Sequence, residues 1–316
     1  MRALVTGAAG FVGGYLTAAL AEADAEVLGL DAAAPAQAAA GAPVLRCDLS
    51  DTGAVARAVE QFAPDVVFHL AAQSSAGRSF EDPRGTFEAN VLAAVDLFEV
   101  LRRRAPGARV VVVGSGEEYG LRSPGEMPLG ENAPVEPANP YAASKAAQNL
   151  LAMQYRRAYG LDVVATRSFS HTGPGQRDAF VLPSFARQCA EIRAGGREAV
   201  IRTGNLAVTR DYLDVRDVAR AYIAIAGKGI SGATYNVCSG EGLDLGQALE
   251  TLISFAGGGI RVETDPALLR PIDAPILVGD NGRLRTECGW RPRIAPQRML
   301  EDLFSWWRER AAAPRS

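Results

Sequence analysis

The chain has 316 residues, of which 48% are hydrophobic and 22% are charged, with a formal net charge of −3 and an isoelectric point near 5.6. This composition is typical of a globular α/β protein with one large unit or two closely joined domains, and it gives no support for nucleic-acid binding. Four scattered cysteines and two histidines predict reduced thiols, no metal site and a cytoplasmic location. The N-terminus is interpreted as a strand rather than a signal peptide, and no membrane segment is expected.

A glycine-rich turn follows the first predicted strand, Arg2–Thr6, and precedes a helix predicted from about Phe11 to Glu22. In a dinucleotide-binding turn the first glycine makes the bend, the second admits the pyrophosphate, and the third lets the helix pack on the strand. The helix N-terminus offers free N–H groups to phosphate. The predicted cofactor contacts in this turn are Gly7, Gly10, Phe11, Val12 and Gly13. The alternative is a glycine-rich turn with no ligand.

An acidic residue, Asp31, ends the second predicted strand, 18 residues after Gly13. A carboxylate there can accept hydrogen bonds from the ribose of the adenosine and repels a 2′-phosphate. The sequence therefore favours NAD(H), with NADP(H) as the alternative. After the third strand, Asp48 and Leu49 are candidates for the adenine edge, and the alternative for Asp48 is a helix cap.

The predicted strand Asp65–Leu70 is apolar from Val66 to Phe68, and His69 within it is interpreted as a core histidine with satisfied hydrogen bonds. Small residues after the strand would let a cofactor cross the sheet at the switch point. The polar stretch 73–83 borders the expected cleft, and a long helix follows from about Thr86 to Arg104, where Asn90 could tie it to the sheet. Further predicted cofactor contacts are Leu70, Ala71, Ala72, Asn90 and Phe169. Predicted substrate contacts in the polar stretch are Ser74 and Ser75.

Candidate catalytic residues lie at the end of the strand Arg109–Val113 and in the stretch NPYAASK, residues 139–145. Asn139 and Pro140 predict a helix start, and the helix is predicted to run to about Tyr159. Tyr141 and Lys145 then lie one turn apart on one face, where the ammonium is expected to lower the tyrosine pKa. The chain has two lysines, Lys145 and Lys228, against 31 arginines, which favours a specific need for a compact ammonium. A surface pair is the alternative.

Ser115 and Glu117 follow the same strand, at the sheet edge where ligands bind in such folds. Ser115 is a candidate hydroxyl donor to a substrate oxygen, and Glu117 is a candidate base. The alternative is a polar turn. The four candidate catalytic residues are Ser115, Glu117, Tyr141 and Lys145.

The second half contains a predicted strand at Asp162–Arg167, a loop at 168–176 and a helix from about Leu182 to Ala194. A helix start is expected at Asp217 and a strand at Thr234–Val237. The fold class is α/β, a doubly wound parallel Rossmann sheet with a smaller C-terminal substrate-binding α/β region. The dinucleotide domain is predicted at 1–168, with about 206–240 returning to it, and 169–316 is predicted to be mainly substrate-binding. Loop arginines would suit a diphosphate; surface charge is the alternative.

The glycine turn, Leu-Ala-Ala, the serine and YxxxK together resemble the extended short-chain dehydrogenase/reductase family, over essentially the whole chain. The likeness is closest to enzymes that reduce GDP-4-keto-6-deoxymannose, through residues 114–120, 171–176, 210–217, 235–240 and 270–271. Two departures are Ser170, where many relatives have asparagine, and Gly116, where many have a hydroxyl residue. The substrate-binding residues expected on this basis are Ser74, Ser75, Ser115, Glu117, Tyr141, Ser170, Arg210 and Arg270.

The resemblance implies that NAD(P)H reduces a C4 ketone on a nucleotide-linked 6-deoxyhexose. The expected reaction converts GDP-4-keto-6-deoxy-D-mannose to GDP-D-rhamnose. Tyr141 would donate the proton, and Lys145 would hold its pKa down and contact the ribose. The alternatives are a 4,6-dehydratase in which Glu117 is the acid/base, another nucleotide-sugar epimerase, and a non-catalytic dinucleotide sensor. The resemblance also implies a homodimer through the helices Thr86–Arg104 and Pro140–Tyr159.

Overall fold

The structure is a computed structural model that describes residues 1–33, 41–269 and 274–312. The strands are β1 (Arg2–Thr6), β2 (Glu26–Asp31), β3 (Val44–Arg46), β4 (Val66–His69), β5 (Arg109–Ser115), β6 (Asp162–Ser168), β7 (Ser170–Thr172), β8 (Val200–Thr203), β9 (Thr209–Asp214), β10 (Thr234–Val237), β11 (Gly242–Asp244), β12 (Arg261–Thr264) and β13 (Ile276–Leu277).

The helices are α1 (Phe11–Glu22), α2 (Thr52–Phe62), α3 (Ala76–Glu81), α4 (Pro83–Phe87), α5 (Ala93–Arg104), α6 (Pro140–Tyr159), α7 (Val181–Arg193), α8 (Val215–Lys228), α9 (Leu245–Ala256), α10 (Gly282–Cys288) and α11 (Pro296–Ala312). A π-helical turn, Glu88–Leu92, joins α4 to α5, and short 3₁₀ turns occur at Gly116–Tyr119, Pro124–Glu126 and Pro266–Leu268. In the described ranges, no helix is long and apolar enough to cross a membrane.

The main sheet has seven strands in the order β10-β6-β5-β4-β1-β2-β3, and every neighbouring pair is parallel. The chain builds outward from β1 through β2 and β3, and then crosses to β4 and continues through β5 and β6 in the other direction. The switch point between β1 and β4 opens a crevice at the carboxyl ends of these strands. The predicted fold class is confirmed.

Two hydrophobic layers cover the two faces of this sheet. Successive strand residues point to opposite faces, so Val111 packs in one layer and Val110 and Val112 in the other. The first layer also takes buried residues of α1 and α8, and the second takes those of α2 and α5. Helices on both faces explain why the central strands are continuous apolar runs.

A smaller unit lies beside the main sheet. In it β9 pairs with β7, β11 and β13, while β8 pairs with β12. Its core comes largely from α7, α9 and α11. β10 returns to the main sheet beside β6, whereas β9, inside the predicted returning segment 206–240, belongs to the smaller sheet. The division of cofactor and substrate binding between the two units remains a prediction.

Several local predictions were wrong. The exit of β6 is not only loop, because Ser170–Thr172 forms β7 against β9, a partner distant in sequence. The long helix predicted from about Thr86 is interrupted by the π turn. Helix α8 begins at Val215, capped by Asp214, which accepts a hydrogen bond from the Arg216 N–H. Asp217 instead lies in the first turn of α8, where its carboxylate accepts from the backbone of residues 293 and 294.

Candidate active site

The glycine turn lines one wall of a large cleft at the switch point. Gly7 has φ of +71°, and its N–H donates to the Leu30 carbonyl over 2.8 Å. A Cβ added at Gly13 would lie 2.2 Å from the Gly7 carbonyl oxygen, which explains why only glycine fits there. Gly10 caps α1 and no side chain caps its first N–H groups. This cradle fits a dinucleotide pyrophosphate.

Asp31 ends β2 at the same cleft. Its carboxylate accepts hydrogen bonds from the N–H groups of Ala9 at 3.1 Å and Ala33 at 2.9 Å, which fix its position beside the glycine turn. Asp48 accepts from both the N–H and the hydroxyl of Ser50, and these bonds lower its pKa. The cap of α2 is Asp51, so the helix-cap alternative for Asp48 is wrong.

Ser115 is the last residue of β5, and the 3₁₀ turn after it fixes both of its polar groups. Its N–H donates to Glu118 Oε1 over 2.8 Å, and its Oγ accepts from the Glu117 N–H over 3.2 Å. Tyr141 stands in the first turn of α6 and lines the same part of the cleft. Ser115 is close enough to Tyr141 to act on the pKa of its phenol. The strand end and the helix start therefore bring these two hydroxyl groups together.

The helix start predicted at Asn139 and Pro140 is confirmed: Asn139 Oδ1 accepts from the Ala142 N–H over 2.8 Å, and Pro140 is the first helical residue. The pKa shift predicted for Tyr141 was wrong. Its pKa is raised, first by burial and second by the negative charge of Glu117. Lys145 is buried below the cleft and donates to Gln148 Oε1 over 2.7 Å.

Burial lowers the pKa of Lys145 to about 8, and the Glu118 carboxylate opposes this shift. Glu118 is 1% exposed and accepts from Ser115, from Asn149 Nδ2 and from Arg167 Nε. Its neighbour Glu117 lines the cleft. Two adjacent glutamates thus have opposite environments, one holding the turn from below and one open to a ligand. The role of Glu118 was not predicted, because a 3₁₀ turn of four residues has no repeating pattern that distinguishes a buried glutamate from an exposed one.

Asn90 was predicted to contact the cofactor, but it does not line the cleft and is fully buried. Its Oδ1 accepts from the Gln73 N–H over 2.7 Å, and its Nδ2 donates to Ser144 Oγ over 2.8 Å. The Ser144 hydroxyl donates in turn to the Tyr141 carbonyl over 2.7 Å. Asn90 therefore ties the loop after β4 to the helix of Tyr141, which is close to its predicted role as a tie between helix and sheet.

His69 is a core histidine, as predicted, but its hydrogen bonds are not all satisfied. Thr6 Oγ1 accepts from the Ala71 N–H and shares a hydrogen bond of 2.9 Å with His69 Nδ1. His69 Nε2 has no partner among the described residues. Burial, together with the charge of Lys145, lowers the pKa of His69 to about 3, which keeps the ring neutral.

The cleft has a volume of about 2200 Å³, roughly twice the upper end of a typical small-molecule site, about 1,000 Å³. It has room for a dinucleotide and a second nucleotide. The predicted residues that line it are Gly7, Gly10, Phe11, Val12, Gly13, Asp31, Asp48, Leu49, Leu70, Ala71, Ala72, Ser74, Ser75, Ser115, Glu117, Tyr141, Phe169, Ser170 and Arg210. Lys145 and Asn90 lie behind this surface, and Arg270 lies outside the described residues.

Residues that the sequence analysis did not assign to the site also line the cleft, among them Tyr15, Asn139 and His171. His171 stacks on Phe11, with ring centroids 6.4 Å apart and planes 9° apart, and Tyr15 donates to the Pro174 carbonyl over 2.8 Å. These contacts join the glycine-turn helix to β7 and to the loop after it. In the described ranges, no group of three or more His, Cys, Asp or Glu side chains is placed to hold a metal ion.

Comparison with known proteins places this site among nucleotide-sugar enzymes. The chain is 35% identical to GDP-6-deoxy-D-mannose reductase of Pseudomonas aeruginosa over 98% of both chains. It is 34% identical to UDP-glucose 4-epimerase of Mycolicibacterium smegmatis, over 93% of this chain and 95% of that one. Relatives of nearly equal identity thus carry different activities.

Among solved structures, RMD from Pseudomonas aeruginosa complexed with NADPH matches with a TM-score of 0.87 and 33% identity, over 98% of this chain and 99% of that one. A Thermus thermophilus UDP-glucose 4-epimerase with NAD also has a TM-score of 0.87 and 33% identity, with the same coverage. The sequence model of the GDP-mannose 4,6 dehydratase family matches residues 4–303. The chain therefore belongs to the GDP-mannose 4,6-dehydratase family, within the epimerase/dehydratase type of short-chain dehydrogenase/reductases.

Proposed function

We propose that this protein reduces the C4 ketone of a nucleotide-linked 4-keto-6-deoxyhexose with NAD(P)H, converting GDP-4-keto-6-deoxy-D-mannose to GDP-D-rhamnose. The observation that carries the proposal is that Ser115, Tyr141 and the glycine turn line one cleft. A phenol holds its proton near neutral pH, and burial and the charge of Glu117 raise the pKa of Tyr141 further, which keeps that proton available for a ketone oxygen. The whole-length similarity to GDP-6-deoxy-D-mannose reductase also supports the reduction of a keto sugar.

A bound dinucleotide would supply the hydride that C4 receives. The glycine turn and Asp31 would hold this cofactor, and the small residues after β4 would leave room for it at the sheet edge. Ser115 donates a hydrogen bond to the developing alkoxide, and Tyr141 delivers the proton. The ammonium of Lys145 stabilises the negative charge left on Tyr141. A pKa of about 8 leaves most Lys145 side chains charged at neutral pH.

A GDP-mannose 4,6-dehydratase is the second candidate, and the position of Glu117 is the observation that favours it. Glu117 lines the cleft and its charge acts on Tyr141, so in this candidate its carboxylate would be the base that removes the C5 proton. A 4-epimerase, the activity named for a relative of 34% identity, is a further alternative. Tight cofactor binding with no turnover of any nucleotide sugar would point to the dinucleotide sensor.

Replacement of Tyr141 by phenylalanine tests the proton-donor role. The variant loses one hydroxyl group and is expected to bind NAD(P)H like the parent. Turnover of the 4-keto sugar should fall by about 10²- to 10⁴-fold, the usual contribution of a positioned acid. A near-parental rate would show that Tyr141 is not the proton donor.

For the cofactor, we propose that NADH is preferred and NADPH is accepted. Asp31 is fixed where a 2′-phosphate would approach it, and the segment 32–43 contains no arginine or lysine to hold such a phosphate. For the substrate, we propose that Ser74, Ser75, Ser170 and Arg210 contact the nucleotide sugar from the cleft wall. Arg270, which is also expected to bind the substrate, lies outside the described residues. Kinetic constants with both cofactors test the first proposal.

We also propose a cytoplasmic homodimer. Apolar side chains are exposed on the two helical segments expected at the interface: Leu92 at 56%, Leu150 at 72% and Tyr159 at 52%. Leu150→Glu should give a monomer in light scattering, whereas Leu121→Glu, at another exposed leucine, should not. A dimeric Leu150→Glu variant would exclude this interface. Cysteines 47, 189, 238 and 288 are buried and unpaired, which suits a reducing compartment. Fractionation of the source cells tests the location.

A further inference from the structure

Asn139 has a second function besides capping helix α6. Its Oδ1 accepts the Ala142 N–H over 2.8 Å, and its Nδ2 donates to Glu117 Oε2 over 2.8 Å. Asp and Ser cap a helix about as well as Asn. An amide is the side chain that offers an acceptor to the helix and, two bonds from the β-carbon, a donor to a carboxylate. The residue type therefore matches two contacts at once.

Glu117 makes hydrogen bonds to both elements that carry the reactive hydroxyl groups. The Glu117 N–H donates to Ser115 Oγ at the end of β5, and the Glu117 carboxylate is bound by the residue before α6, two positions from Tyr141. Both Asn139 and Glu117 line the cleft. A shift of either element would lengthen one of these bonds.

The other charged groups around Glu117 do not take over this role. Glu118, next in the chain, turns away from the cleft toward Arg167 and Asn149. Tyr141 is neutral near pH 7, and it faces the Glu117 charge from α6. Among the described residues, the side-chain amide of Asn139 donates a hydrogen bond to the Glu117 carboxylate.

We propose that Asn139 is a positioning residue, which holds the Glu117 carboxylate at the cleft wall in the orientation needed to meet a bound sugar. The inference rests on the proposed nucleotide-sugar function, because the orientation of Glu117 affects turnover only when a sugar occupies the cleft. In the reductase, the carboxylate accepts hydrogen bonds from sugar hydroxyl groups. In the dehydratase, the same orientation places it to take the C5 proton.

The test compares Asn139→Asp, Glu117→Gln and the double variant. Asn139→Asp keeps the helix cap and the side-chain shape, but it sets one carboxylate against another. The double variant restores a hydrogen bond with donor and acceptor exchanged, and it removes the carboxylate from position 117. Each protein is measured for kcat and KM across pH, NAD(P)H affinity and melting temperature.

Asn139→Asp is expected to lower kcat/KM by about 10- to 100-fold at neutral pH, with NAD(P)H affinity unchanged. The size of this loss should change with pH, because the variant carries two like-charged carboxylates in contact where the parent has one. Its melting temperature should fall. The double variant should regain the melting temperature but stay as slow as Glu117→Gln alone.

Two results would overturn the inference. One is an unchanged kcat/KM in Asn139→Asp; the other is a double variant that recovers activity along with melting temperature, which would make the contact purely structural. If the parent turns over neither the 4-keto sugar with NAD(P)H nor GDP-mannose, the proposed function fails. The melting series then still tests the contact, and no loss in Asn139→Asp or no regain in the double variant refutes it.

Discussion

Replacing Gly13 by alanine tests whether the glycine turn holds the cofactor. The new Cβ would lie 2.2 Å from the Gly7 carbonyl oxygen and 2.8 Å from the Ala8 Cα, both of them backbone atoms. Helix α1 and the turn must separate by roughly 1 Å to restore ordinary contact. Overpacking of this kind costs about 1–3 kcal/mol. If this free energy destabilises the conformation of the turn that binds the cofactor, the NAD(P)H dissociation constant rises by about 5- to 150-fold.

The assay is calorimetric titration with NADH and NADPH, together with thermal unfolding. Gly227→Ala is the matched control, because Gly227 lies in α8 with open space around its missing Cβ. That change should leave cofactor affinity unchanged and should stabilise the helix by up to about 1 kcal/mol. Equal cofactor affinity in Gly13→Ala and the parent would refute the assignment of this turn to the dinucleotide.

Three further predictions concern buried and charged groups. Below pH 8 the depressed pKa of Lys145 destabilises the fold, and the penalty disappears as pH rises toward 10.5, where the unfolded chain also loses the proton. The unfolding free energy of the parent relative to Lys145→Met should therefore increase by on the order of 3 kcal/mol across this window, whereas Lys228→Met, at an exposed lysine, should show no such trend. If chemical denaturation shows that the difference in unfolding free energy between the parent and Lys145→Met does not change with pH, the lowered pKa of the buried Lys145 is wrong. Asn90→Ala leaves the buried Gln73 N–H without its acceptor and should cost about 1–3 kcal/mol, and a stability equal to the parent would rule out the tie to α6. Asp31→Asn should improve kcat/KM for NADPH relative to NADH by removing a charge that repels the 2′-phosphate; an unchanged ratio would show that Asp31 does not select the cofactor.

Local chemistry explains which predictions succeeded. The glycine turn, the Asn139-Pro140 helix start and the apolar central strands each depend on neighbours within a few residues, so the sequence alone predicts them. The parallel sheet and its switch point follow from the alternation of strand and helix. The predicted positions of Ser115 and Tyr141 in one cleft followed from that topology.

Contacts between distant segments explain the errors. Strand β7 has three residues and exists through its pairing with β9, which no local pattern reports. Asp217 has the sequence features of a helix cap, but its carboxylate binds backbone N–H groups more than 70 positions away. The raised pKa of Tyr141 depends on burial and on the charge of Glu117. The prediction of a lowered pKa was based on the spacing to Lys145 alone.

Reduction of a C4 ketone is tested by mixing purified protein with GDP-4-keto-6-deoxy-D-mannose and NADH or NADPH. We predict stoichiometric oxidation of the cofactor and formation of GDP-D-rhamnose, identified by the proton couplings at C4. A parallel reaction with GDP-mannose alone should show no conversion. Loss of GDP-mannose with no net change in cofactor, together with no oxidation of NAD(P)H by the 4-keto sugar, would contradict the reductase and establish the dehydratase.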